Sequence, residues 1–124
     1  MSTETSGKLV TITASRSGYS AWLEVEYGWS VDGKQFYVHT KRYKADYNGR
    51  SGGNIKLKLV SKDETGWEEL NNDDGVQDGQ WHDFVKQKTV AGNAKSAIIH
   101  FNWIYDLKGY QDPNMTGAAT VTFP

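Results

Sequence analysis

Cysteine is absent from the 124 residues of this chain, so no disulfide staples the fold and no thiol nucleophile or thiolate zinc site exists. Stability must come from packing. Proline is scarce, with two residues against 13 glycines, so turns rest on glycine and on the Asn and Asp beside it. No apolar run approaches the roughly 20 residues that cross a bilayer as a helix. The first seven residues carry neither the basic nor the apolar segment of a secretory signal, so the expectation is a chain made in the cytoplasm, to stay there or be released.

Charge of one sign is missing too, since 14 basic residues face 15 acidic ones for a net −1. Nucleic-acid binding needs a clustered basic surface, and the nearest approach, Lys41, Arg42, Lys44 and Arg50, is interrupted by Tyr43, Asp46 and Tyr47. Neither nucleic acid nor membrane is expected as a partner.

Aromatic residues are plentiful: five Trp, seven Tyr and four Phe, enough to fill a sparse core with large rings. Residues 21–43 are the most readable stretch. Leu23, Val25, Tyr27 and Trp29 alternate with Trp22, Glu24, Glu26 and Gly28, the period of a strand with one buried face. A two-residue turn at Asp32-Gly33 would pair Trp29 with Phe36, Tyr27 with Val38 and Val25 with Thr40 on the inner face. Glu26 with His39, Glu24 with Lys41 and Trp22 with Tyr43 then share the outer face.

Further strands are expected over 8–14, 55–61, 81–89, 96–105 and 117–123, with turns or loops at 15–20, 47–54, 62–80 and 106–115. Lys56 and Lys58 suggest an exposed sheet edge. In 96–105 both faces are apolar, the mark of a central strand. Residues 67–70 read as an irregular loop containing a turn. The whole predicts an all-β fold: one antiparallel β-sandwich, jelly-roll-like, of about seven strands with little or no helix, spanning 8–124 behind a flexible 1–7.

Chemical motifs are few. Glu24 and Glu26 stand about 7 Å apart on one strand face, but each has a basic residue opposite, which suits surface ion pairs better than glycoside hydrolysis. His39, His82 and His100 lie on separate strands without metal-ligand spacing. The acidic loop 71–79 fails the EF-hand pattern, leaving Asp73, Asp74 and Asp78 as the set for a different calcium loop, the single cofactor considered. No phosphate-binding glycine loop and no nucleophile elbow is present.

What remains is a supply of rings beside amides and carboxylates: Trp22 with Tyr43; Tyr47 with Asn48 and Arg50; Trp67; and Tyr110 with Asp112 and Asn114. Sugars present an apolar C–H face that stacks on Trp or Tyr and hydroxyls that want such polar partners. In composition, a cysteine-free, tryptophan-rich β domain resembles microbial lectins and small β-sandwich cytolysins, with no motif aligned. The expected function is a non-enzymatic, lectin-like module binding a carbohydrate. The alternative is a self-assembling structural or multi-part toxin subunit, a homo-oligomer whose aromatic residues form protein or membrane interfaces.

Overall fold

The computed structural model describes residues 7–123, so the expected flexible segment 1–7 falls outside it except for Gly7. Among the described residues the fold is all-β and antiparallel, without helix. Its strands are β1 (Lys8–Arg16), β2 (Tyr19–Trp29), β3 (Gln35–Ala45), β4 (Arg50–Val60), β5 (Glu68–Glu69), β6 (Gly75–Gln77), β7 (His82–Asp83), β8 (Gln87–Ala91), β9 (Ser96–Ile104) and β10 (Asn114–Thr122). Seven of these are five residues or longer, which matches the expected number. The other three are short pieces that alternation cannot reveal.

The sandwich is one sheet rather than two, in the order β5-β4-β9-β10-β1-β2-β3-β7, with β6 on β4 and β8 on β3, curled into a half-barrel. Ser15 with Thr116 is the register pair between β1 and β10, which joins the two halves of the sheet. Inside the curl lie Trp29, Phe36, Phe101, Trp103 and Tyr105, all at or below 1% exposure, with Leu23, Ile55, Leu57, Leu59 and Ile99 between them. Burying each of these apolar side chains contributes about 1.5–3 kcal/mol over leaving it in water. As expected, β9 is central, held between β4 and β10. β4 is not a free edge, because β5 and β6 pair along its other side.

The β2–β3 hairpin keeps the expected register for Trp29 with Phe36, Tyr27 with Val38, Glu26 with His39 and Val25 with Thr40. Its loop differs. Gly33 donates to the Ser30 carbonyl (2.9 Å), Ser30 donates to the Gln35 carbonyl (2.9 Å), and only Gly33 has positive φ, so residues 31–34 form a four-residue loop with the same pairing sum. The Asp32 carboxylate stabilises that loop by accepting from the Ser30 hydroxyl (2.7 Å) and the Lys34 amide (3.0 Å). Two consecutive positive φ angles, the requirement of the two-residue hairpin, occur instead at Ser17 (56°) and Gly18 (84°) between β1 and β2.

Beyond Val25 the register shifts by one. Glu24 faces Arg42, Leu23 faces Tyr43 and Trp22 faces Lys44, which leaves Lys41 as the extra residue of a bulge. The expected pairs Glu24 with Lys41 and Trp22 with Tyr43 are therefore replaced, and Tyr43 turns inward to 6% exposure. The cause lies in a distant segment. Thr40 and Lys41 bind the backbone of Phe84 and Lys86, which also splits the strand expected over 81–89 into β7 and β8.

Candidate functional site

Register places Lys56 of β4, Asn102 of β9 and Thr116 of β10 side by side on the outer face of the sheet. Asn102 is 4% exposed, a buried amide on a strand whose outer face also carries Ile98, His100 and Ile104. Its Nδ2 donates to Oδ1 of Asn114 and to the Met115 carbonyl (2.9 Å), which fixes the amide plane. Trp67, immediately before β5 and 44% exposed, rises beside this row. The ring is held edge-on to His100 at 6.1 Å, and the Lys58 ammonium sits 5.4 Å from its centroid. Burial and, secondarily, Lys58 push the His100 pKa below its usual value, with Glu64 opposing weakly, so the imidazole beneath Trp67 favours its neutral form.

On the other side stands Arg16, the last residue of β1, whose Nη1 donates to the Asn114 carbonyl (3.4 Å). Together Arg16, Lys56, Trp67, Asn102, Asn114 and Thr116 line a groove of about 380 Å³, within the usual ~300–1,000 Å³ of small-molecule sites. A second hollow of about 240 Å³ shares Arg16 and Asn114 and runs on past Gln111, Asp112 and Pro113, so the two form one extended trough.

Of the residues singled out from sequence, this trough collects Trp67, Asp112 and Asn114. Asn114 begins β10 instead of lying in the loop, and Asp112 accepts from the Leu107 amide (2.9 Å), bracing the β9–β10 connection. Arg16, Lys56, Asn102 and Thr116 were not anticipated. Asn102 alone carried a signal, a polar side chain among apolar ones on a central strand.

The remaining candidates lie elsewhere. Trp22 is half-buried with the Lys44 ammonium 5.0 Å from its ring. Lys44 also approaches Trp81 (5.6 Å), and Arg42 stacks on Trp81 at 4.3 Å while its Nε meets Glu24 at 3.2 Å. This alternation of rings and cations occupies the outer face where Trp22 and Tyr43 were expected as a platform. Tyr43 instead stacks on His82 at 5.4 Å, accepts from the Val76 amide through its hydroxyl (3.0 Å), and floors a hollow of about 400 Å³ with Asn71, Asp74, Asp83 and Phe84.

Residues 47–54 are a loop only as far as Gly49, since β4 begins at Arg50. Asn48 donates to the Asp106 carbonyl (2.8 Å) and Arg50 pairs with the Asp106 carboxylate (3.0 Å), so both tie the loop to the end of β9 rather than facing a ligand. Gln77, fully buried, completes that tie. Its Nε2 donates to Asn48 Oδ1 and the Asp106 carbonyl, and its Oε1 accepts from Trp103 Nε1 (3.1 Å) and the Asp106 amide (2.8 Å). Tyr47 and Tyr110 remain 75% and 80% exposed.

Asp73, Asp74 and Asp78 are not gathered into one cluster. No group of three or more metal-ligating side chains occurs among the described residues. Asp78 is engaged by His82 Nε2 (2.9 Å) and accepts from the Gln80 amide (2.9 Å), contacts that lower its pKa, His82 first. Asp73, at φ 54°, and Asp74 are exposed on the turn before β6. The acidic run shapes turns. No protein-family model, curated protein or solved structure matches this chain.

Proposed function

We propose that the protein is a non-enzymatic carbohydrate-binding module whose ligand lies in the Trp67 groove. The observation that carries this reading is the composition of that groove: one half-exposed indole beside hydrogen-bonding groups, Asn102, Asn114, Thr116, Arg16 and Lys56. A pyranose needs this combination, an apolar face for its C–H surface and fixed donors and acceptors for its hydroxyls. Preorganisation favours it further, since Asn102 is held by two acceptors before any ligand arrives.

The test is calorimetric titration with a panel of oligosaccharides. Trp67→Ala should weaken binding by about tenfold or more, the loss of one stacked ring, while the unfolding midpoint stays near that of the parent. A flat response across a broad glycan array, or unchanged affinity in Trp67→Ala, would sink the reading.

A second reading, self-assembly, is favoured by the exposed rings of Tyr47 and Tyr110 on the two loops that Arg50 and Asp106 fasten together. Tyrosines on a braced platform are good interface anchors. Light scattering over a concentration series decides it: a strict monomer at millimolar concentration excludes this reading.

A further inference from the structure

Resting on the carbohydrate reading of the groove, we infer that its ligand is an acidic saccharide, with the carboxylate or sulfate seated between Arg16 and Lys56 at the Trp67 end. The argument is one of charge left over. The chain has three arginines. Arg42 is paired with Glu24 at 3.2 Å and Arg50 with Asp106 at 3.0 Å, whereas among the described residues Arg16 reaches a backbone carbonyl, at 3.4 Å, and no carboxylate. Lys56 likewise has no ion pair among the described residues. Glu69, exposed, stands opposite it in the β4–β5 register but does not line the groove. Among the described residues no carboxylate lines the 380 Å³ groove, so the two cations face it without an acidic group in its lining.

Their types suit the task. A guanidinium fork matches the geometry of a carboxylate or sulfate, and an ammonium adds a point charge from the far side. The one acidic residue of the trough, Asp112, lies in the adjoining hollow and already accepts the Leu107 amide. That asymmetry orients a chain, with the anionic unit over Asn102 and a neutral unit towards Asp112. Trp67 supplies the stacking face at the same end, so charge and ring act on one sugar.

Three probes of equal length test this: cellotetraose, which is neutral; tetragalacturonate, which carries carboxylates; and a heparin-derived tetrasaccharide, which carries sulfates. Titrations run at 50 and 500 mM NaCl with the parent, Arg16→Gln, Lys56→Gln, Trp67→Ala and, as a charge-matched control, Lys95→Gln on the exposed β8–β9 connection. At least one acidic probe should bind about tenfold tighter than cellotetraose and weaken at high salt. Arg16→Gln and Lys56→Gln should each cost that probe several-fold, Trp67→Ala should cost it similarly, and Lys95→Gln should not. The relative strength of the two acidic probes identifies the source of the anion.

Tighter or equal binding of cellotetraose that still depends on Trp67 overturns the inference and leaves the carbohydrate reading standing. Acidic binding that ignores Trp67, or that Lys95→Gln weakens as much as Arg16→Gln, overturns it as diffuse polyanion attraction. Failure of all three probes overturns the inference, and the glycan array then decides whether the carbohydrate reading falls with it. Circular dichroism and the urea midpoint of each variant separate lost binding from lost structure.

Discussion

Thr40 and Lys86 are joined twice: the Thr40 amide donates to the Lys86 carbonyl at 2.9 Å, and the Lys86 amide donates back to the Thr40 hydroxyl at 2.7 Å. The same hydroxyl donates to the Phe84 carbonyl at 2.7 Å, so one buried side chain holds the break between β7 and β8 and the bulge at Lys41. Replacing Thr40 with valine keeps the shape and deletes all of the hydroxyl's bonds. Thr40→Val should lower stability by about 1–3 kcal/mol through the orphaned Lys86 amide and Phe84 carbonyl, whereas Thr40→Ser should retain most of it. Urea unfolding compares the two, and equal midpoints would deny the hydroxyl its role.

Gly117 permits the approach of β10 to β1. A Cβ at that position would stand 1.9 Å from the Thr13 carbonyl oxygen and 2.7 Å from its carbon, both backbone atoms that cannot swing aside. Gly117→Ala should therefore cost about 3 kcal/mol or more. Gly18→Asn is the counterpart, because nothing lies within 4 Å of its Cβ direction and asparagine tolerates φ +84°. It should cost about 1–2 kcal/mol at most, from backbone strain alone. Thermal melts of the two variants should differ plainly, and similar melts would refute the contact.

Tyr105 is fully buried, its hydroxyl donates to the Asp46 carbonyl at 2.7 Å, and its ring stacks on Tyr19 at 4.4 Å. Burial, then Asp46, then Tyr19 push its pKa up from 10.0 to about 12. The folded state thus holds this proton more tightly than the unfolded one. Its contribution is complete below pH 10 and is lost as pH rises from 10 towards 12, an effect on the order of 2–3 kcal/mol. Stability measured between pH 9 and 12 should fall in that window. Tyr105→Phe should start lower by about 1 kcal/mol for the lost hydrogen bond and decline less steeply. An equally steep decline would place the titration elsewhere.

Gln77 saturates four partners with one amide, joining Asn48, Trp103 and both backbone groups of Asp106. Gln77→Leu leaves the Trp103 indole N–H and the Asp106 amide unsatisfied in the interior and should destabilise by about 3 kcal/mol. Hydrogen exchange at Asp106 and Asn48 should accelerate first, since the variant frees the loop ends before the core. Protection unchanged at both would contradict the assignment.

Local alternation carried the fold a long way: the inner pairs from Trp29 with Phe36 to Val25 with Thr40 follow from period two and a turn. Past Val25 it failed because the bulge at Lys41 is fixed by residues 84–86, more than forty positions away. No window around Lys41 contains that cause. The same holds for the groove. Trp67 and Asn114 were visible as polar-flanked candidates, but Arg16, Lys56, Asn102 and Thr116 come from four strands that only the sheet order brings together. Tyr43 shows the converse, a ring assigned to the surface by a register that one extra residue undoes.

The seam between β1 and β10 has a consequence for ligand recognition. Their register pair is Ser15 with Thr116, beside Arg16, which reaches across to the Asn114 carbonyl, and all but Ser15 line the trough. The trough lies along this seam, so the meeting of the two strands and the β9–β10 connection together shape it. Substitutions at Ser15 or Thr116 would therefore act on the cohesion of the sheet and on the shape of the trough together, coupling thermal tolerance to affinity.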